Sequence, residues 1–280
     1  MKKITVATLF AFISVTNLFA QMENIKVDEE VTINQLYAGA LSWNSFSVDS
    51  LSATNTTNFR VGALATWRPS SFFAIKAMSV YDRTNKTDWA MNQYSVVINP
   101  TKALTISLGN MGTLVTEQRP LPTSAGGQFE TWTESKIPGM AICAKASYKA
   151  NDNLTIGAGV AQRNGMAEYQ AKIGYKKIVA SAFYNEGDKK LGTVLTATIG
   201  RVSNVFVWRQ DNLVSNFLQV DLGHGYSVVS DTGYDLVKKD LVRGEWGGIK
   251  SFKNKYCGGL FVLTYCHEVR GINGYLFIHL

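Results

Sequence analysis

From about residue 31 onward the chain alternates apolar and polar positions with a period of two. In residues 139–149, Met140, Ile142, Ala144, Ala146 and Tyr148 interleave with Ala141, Cys143, Lys145, Ser147 and Lys149. In 168–176, Tyr169, Ala171, Ile173 and Tyr175 alternate with Gln170, Lys172, Gly174 and Lys176. Residues 58–68 set Phe59, Val61, Ala63, Ala65 and Trp67 against Arg60, Gly62, Leu64, Thr66 and Arg68, and 154–163 and 192–200 behave alike. Helical spacing fits these stretches less well, so the pattern predicts an all-β chain.

Alternation suits two architectures. A soluble sandwich buries its apolar face, whereas a membrane barrel turns that face to lipid and lines its interior with small and polar residues. Here the apolar rows often start or stop at an aromatic, as at Phe59, Trp67, Tyr148, Tyr169, Tyr175 and Tyr184. Aromatic girdles are expected where strands cross the two membrane interfaces.

Connections also alternate in length. Short ones fall near 68–71, 99–102, 149–153, 176–177, 201–204, 223–225 and 251–255. Longer, more polar ones fall near 44–57, 82–92, 114–138, 185–191, 230–240 and 266–273, with tighter joins near 164–166 and 210–212. All five prolines lie in connections, where a missing N–H costs no ladder bond. Short turns on one side and longer loops on the other are the arrangement of a bacterial barrel. The segments between them predict a transmembrane antiparallel β-barrel of about sixteen strands, or twelve or fourteen if neighbouring segments merge. The last segment, 274–280, reads as a strand running to Leu280.

The first twenty residues read differently. Lys2 and Lys3 precede an apolar stretch from Ile4 to Phe19, and Ala20 offers a cleavage point before Gln21. This predicts a cleavable export signal at 1–20 and a barrel over 21–280. The cysteines Cys143, Cys257 and Cys266 are odd in number and read as small apolar fillers, not a disulfide framework.

Composition narrows the classes. Hydrophobic residues make up 46% and charged residues 18% of the chain, which excludes a disordered protein. After residue 20 no apolar run approaches the ~18 residues of a spanning helix. The formal charge is +7, two less without Lys2 and Lys3, and no basic cluster accompanies it, so nucleic acid is not an expected partner.

The layout resembles a Gram-negative outer-membrane porin, closest to the phosphate-selective type though shorter. Local motifs that carry the resemblance are Phe59-Arg60-Val61-Gly62, Ser107-Leu108-Gly109-Asn110 and Lys136-Ile137-Pro138-Gly139-Met140. It implies a Gram-negative outer-membrane location, a water-filled channel, a homotrimer in contact with lipid, and a third outer loop folded into the lumen. That loop would be 114–138, the longest in the chain, carrying Glu117, Arg119, Glu130, Glu134 and Lys136 beside Phe129 and Trp132. Such barrels usually end in an aromatic, whereas this chain ends in Leu280.

A pore selects by width and by lining charge. Parity places Arg60, Arg68, Lys76, Lys145, Lys172 and Arg243 in the inward rows against Asp221 and Glu245, an imbalance that favours anions. No catalytic or cofactor-binding motif appears, and His224, His267 and His279 are isolated, without zinc-ligand spacing. The expectation is therefore a non-enzymatic porin without cofactor or metal, passing small hydrophilic solutes with a mild preference for anions. A closed outer-membrane barrel with an adhesive or assembly role, and a soluble exported β-protein, remain as alternatives.

Overall fold

The computed structural model describes residues 22–26, 29–47, 52–84, 88–118, 133, 136–253, 258–267 and 270–279. The export signal at 1–20, Cys257, Arg119, Glu130, Glu134, Phe129, Trp132 and the terminal Leu280 lie outside them. Among the described residues the strands are β1 (Met22–Lys26), β2 (Val31–Ser47), β3 (Ser52–Trp67), β4 (Phe73–Thr84), β5 (Asp88–Ile98), β6 (Leu104–Gly112), β7 (Met140–Lys149), β8 (Leu154–Arg163) and β9 (Met166–Tyr175). They continue as β10 (Ile178–Asn185), β11 (Lys190–Ile199), β12 (Val202–Arg209), β13 (Leu213–Gly223), β14 (Tyr226–Asp235), β15 (Asp240–Lys253), β16 (Gly258–Cys266) and β17 (Gly271–His279).

All belong to one antiparallel sheet, and successive strands pair with one another. The pairing passes through β9–β10 in mid-chain and returns from β17 to β2. Sixteen strands, β2 to β17, therefore each have a hydrogen-bonded neighbour on both sides. The short β1 completes the row that β17 begins. β17 faces β2 from Ser47 to Gly39, and β1 faces it from Leu36 to Thr32.

Burial follows the alternation. On β7, Ala141 and Cys143 are buried while Ile142 and Tyr148 are exposed; on β9, Glu168, Gln170 and Gly174 are buried while Tyr169, Ile173 and Tyr175 are exposed. On these strands the hidden face carries small and polar residues and the open face large apolar ones, whereas on β10 to β16 the hidden face is also largely apolar. Ile142 is 56% exposed, Ile173 52% and Ile199 71%. A globule in water would reverse this assignment. The aromatics predicted at row ends stand exposed there, with Trp67, Tyr148 and Tyr175 near the short turns and Tyr169 and Tyr184 toward the opposite ends.

The turns show why the chain reverses where it does. At Asn164-Gly165 and at His224-Gly225 both central residues have positive φ, the geometry of a two-residue hairpin turn whose twist matches the strands.

The long loops of the sequence reading are corrected. Of those near 44–57, 82–92, 185–191, 230–240 and 266–273, none is a long excursion; every described connection except that between β6 and β7 is at most five residues. β2 and β3 run for 17 and 16 residues, further than the ~10 a tilted crossing needs. Asn44, Ser45, Thr54, Asn55, Thr56 and Thr57 pair as strand although their polarity resembles a loop. There the hydrophobic period vanishes while the hydrogen-bond ladder continues without it.

Leu195, outward in the middle of β11 and 45% exposed, tests which medium meets that face. Leu195→Arg is expected to cost about 2–4 kcal/mol in reversible unfolding from lipid or detergent, the penalty of a charge at bilayer depth. A neutral effect would mean that the face meets water.

Candidate functional site

The connection between β6 and β7 has its described residues, 113–118, Thr133 and 136–139, on the hidden face of the sheet. Its first turn is self-capped: the Thr113 amide donates to Thr116 Oγ1 at 3.1 Å, and the two hydroxyls lie 2.9 Å apart. A 3-10 turn, Thr116–Gln118, follows. Thr116 Oγ1 also reaches the carbonyls of Pro138 and Gly139 at 2.8 and 2.9 Å, so the departing and returning ends are tied together.

Apolar contacts seat the segment. Leu114 and Val115 are fully buried and Ile137 nearly so. Val115 and Ile137 join a cluster with Phe183, Val194, Val205, Val207, Phe217, Val229, Ile249 and Val262, on strands β10 to β14, β15 and β16. Leu114 lies over two glycines of β8. A Cβ on Gly157 or Gly159 would come within 3.1 or 3.3 Å of its methyls, so their lack of a side chain makes the seat. Burying three aliphatic side chains contributes roughly 1.5–3 kcal/mol each.

Polar contacts fix its register. Glu117 Oε1 accepts from Lys145 Nζ at 2.7 Å, and Lys172 Nζ binds the other carboxylate oxygen. Lys145 also donates to the Gly112 carbonyl at 2.7 Å. Gln118 donates to Ser181 Oγ and accepts from Thr196 Oγ1 at 3.3 Å. Further along, the Thr133 amide and hydroxyl both donate to the Asp231 carboxylate on β14. The segment thus touches β7, β9, β10, β11 and β14 on one face, which requires the sheet to curl around it.

Three carboxylates are deeply buried on this face: Glu168, Asp231 and Glu245. Each has compensation, as a buried charge must. Glu168 accepts from Arg163 Nε at 2.9 Å and Gln170 Nε2 at 2.7 Å, and Gln170 Oε1 in turn accepts from the Val115 amide. Glu245 accepts from Arg243 Nη2 at 2.6 Å and from Thr264 Oγ1.

Two polar recesses lie toward opposite ends of the strands, the first bordered by residues 136–139 of the segment. One of about 390 Å³ at the loop end has Lys136, Arg163, Glu168, Asp188, Lys190 and Arg209 in its wall. The other, about 450 Å³ at the short-turn end, is walled by Thr198, Arg201, Ser203, Gln219, Asp221 and Ser227 among others.

Of the residues singled out by sequence, Glu117, Lys145 and Lys172 meet in one cluster. Lys136 stands apart in the loop-end recess. Arg243 faces the hidden side next to Glu245, and Lys76 occupies the same row as Thr66 and Ser95 and is exposed. Arg60 has the same parity as Thr66 on β3, at the register position opposite Asp82. Arg68 sits in the turn just past β3, where its amide donates to the Glu30 carbonyl. Asp221 lines the turn-end recess. Sequence reasoning missed Gln118, Thr133, Glu168, Gln170 and Asp231; for the last three the inward parity of their strands was the available signal. Among the described residues no group of three or more His, Cys, Asp or Glu could hold a metal.

Burial alone would raise the Glu117 carboxyl, but the Lys145 and Lys172 ammoniums outweigh it and hold it below the ordinary carboxylate value. A lowered carboxyl stabilises the fold above its unfolded pKa, and that contribution disappears as pH falls through the lowered folded value.

No family model matches the chain, and no curated protein matches it. Solved structures do. Salmonella typhi OmpF in complex with daunomycin superposes with a TM-score of 0.63 at 10% identity, covering 91% of this chain and 99% of that one. A triple mutant of the Rhodopseudomonas blastica porin gives 0.58 at 9%, covering 88% and 98%. A structure described as showing asymmetric conductivity of engineered proteins gives 0.57 at 9%, covering 90% and 99%. At such identities the likeness shows the fold, a porin-like β-barrel.

Glu117→Gln is expected to destabilise the inward segment by under about 1 kcal/mol, since the Glu117 side chain is 44% exposed and solvent screens the pairs. In wild type, proteolysis within 113–139 should accelerate as pH drops below the usual carboxylate range; E117Q should be faster already at neutral pH and lose that acid step. Identical pH profiles would refute the cluster's role.

Proposed function

We propose that the chain is an outer-membrane channel of a Gram-negative bacterium, passing small hydrophilic solutes with a mild preference for anions. On this reading residues 1–20 are removed on export and 21–280 form the barrel, with lipid around the outward rows and three copies assembling as a homotrimer. The observation that carries the proposal is that residues 113–118, Thr133 and 136–139 pack on the hidden face of a porin-like sheet, with a polar recess toward either end of the strands. Catalysis is no part of it.

Charge at the narrowing follows from one cluster. Two ammoniums, Lys145 and Lys172, share one carboxylate, Glu117, leaving a surplus of about one positive charge where field lines concentrate. Lys76, exposed in the same set of inward rows with no ion-pair partner among the described residues, adds to it. Arg243 contributes little because Glu245 lies 2.6 Å away. Arg60, Arg119, Glu130, Glu134 and Lys136 complete the proposed lining. Phosphate selectivity has no support of its own in this geometry, so the solute class stays general.

A second reading has one specific observation behind it. The hidden face of β10 to β16 is largely apolar and covered, with Val194, Val207, Phe217 and Val262 at 2% exposure or less. A lumen dry on that side suits a plugged barrel that acts through its outer surface.

Planar-bilayer recording separates them. Stepwise conductance with reversal potentials favouring anions is expected, and Lys145→Gln with Lys172→Gln should shift the preference toward cations. Membrane-inserted protein without conductance would favour the plugged barrel.

A further inference from the structure

Cations at the two ends of the sheet are paired differently. Toward the loop end Arg163 binds Glu168 at 2.9 Å, Arg209 and Lys190 share Asp211 at 3.2 and 3.6 Å, and Lys238 meets Asp235 at 3.9 Å. At the short turns Lys149 pairs with Asp152 at 2.8 Å. Lys102, Lys176, Lys177 and Lys250, at the same end, have no carboxylate partner among the described residues.

Two of these lysines lie against outward tyrosines. Lys176 Nζ is 5.4 Å from the Tyr175 ring centre and Lys250 Nζ 3.6 Å from that of Tyr226, and both rings are more than half exposed. Tyr226 begins β14, and exposed Tyr234 lies near its other end, ~26 Å along the strand at ~3.3 Å per residue. That is close to the ~25 Å height of an outward apolar band. Tyr226 and Lys250, which face each other in register, therefore stand at the band's edge.

The edge is hollowed at this point. A recess of about 420 Å³ is lined by His224, Gly225, Lys250, Ser251 and Phe252. The turn lies tightly on β15: the Ser251 amide donates to the Gly225 carbonyl at 2.7 Å, and a Cβ on Gly225 would come 2.3 Å from the Ser251 carbonyl oxygen. Ile249 is buried, so Lys250 takes the opposite, open face of β15, and Phe252 shares its parity. Lys250 Nζ donates to the His224 carbonyl. An ammonium has three donors, which leaves two for a ligand. The His224 imidazole has no partner among the described residues.

We infer that this recess binds the phosphate of an anionic phospholipid in the leaflet at the short-turn end. Lys250 and His224 take the phosphate, while Tyr226 and Phe252 lie against the glycerol and the first methylenes. A free anion in the lumen is the other source of phosphate, and placement disfavours it: the inward recess at this end is a separate one walled by Arg201 and Asp221. A cation beside outward aromatics suits a ligand that is anionic at one end and apolar beyond it. Lys102, Lys176 and Lys177 continue the positive rim along neighbouring turns. The inference rests on the membrane-barrel reading and adds to it which lipid chemistry the wall selects, and where.

The test uses the full chain, exported and extracted in mild detergent. It is titrated with phosphatidylglycerol or with phosphatidylcholine of the same acyl chains, and adducts are resolved by native mass spectrometry. The first phosphatidylglycerol is expected to bind roughly fivefold tighter than phosphatidylcholine, the factor of one surface cation on a lipid anion. H224N/K250Q should bring the two lipids level while keeping the compact, heat-modifiable form. Ser251→Asp, which sets a carboxylate in the recess, gives the same result by a second route if the double variant does not fold. K189Q/K239Q, at exposed loop-end lysines, should leave the preference intact. Equal affinities in wild type, a preference that survives both recess variants or is lost in K189Q/K239Q, or displacement of the lipid by inorganic phosphate overturns the site alone. Wild type recovered in the soluble fraction without detergent overturns the barrel reading as well.

Discussion

Every strand from β2 to β17 sends its N–H and C=O groups to neighbouring strands on both sides, the condition a strand would have to meet in hydrocarbon. This constraint organises the whole molecule. It explains why the pairing leaves no strand from β2 to β17 with one neighbour, and why β17 turns back to β2. It explains why β1 extends the row of β17 along β2, supplying partners where β17 has stopped. It also accounts for the prolines, which stay in connections, and for turns as tight as Asn164-Gly165, which reverse the chain without leaving backbone unpaired.

On the proposed membrane reading the outward rows belong to lipid and the inward rows are free to be polar, small or charged, and the segment between β6 and β7, where described, meets two kinds of surface there. Over β10 to β16 it is seated on aliphatic side chains, with Val115 and Ile137 as its contribution. Toward β7 and β9 it is held by charge, through Glu117 between two lysines. Apolar seating and ionic anchoring act at different points of the same segment, so pH can loosen one without dissolving the other. The buried carboxylates Glu168 and Asp231 serve the same end, since each receives a donor from the segment or from a side chain bound to it.

The fold was legible because the two faces of each strand impose opposite demands on successive residues: residues 139–149 and 168–176 have the faces their parity predicts. The short turns were legible too. The length of strands was not. Residues such as Asn44 and Thr56 pair as strand although no hydrophobic periodicity marks the ladder there. Bulges add a second limit: β2 slips register between Ile33 and Gln35, and β15 between Leu241 and Arg243, each shifting parity locally. At the site, the resemblance pointed the long loop inward, and charge parity found Lys145 and Lys172. Pairing across distance stayed hidden, because nothing near Thr133 in sequence announces Asp231 on a strand 98 residues away.

The central claim is that the outward rows lie in hydrocarbon around a polar interior. Spin labels placed one at a time from 169 to 174 on β9, in reconstituted bilayers, measure it most directly. The account predicts that labels at 169, 171 and 173 relax with oxygen dissolved in lipid and ignore a water-soluble nickel chelate, while those at 170, 172 and 174 lose the oxygen effect, in strict alternation. Equal access of the nickel chelate to both sets would contradict it.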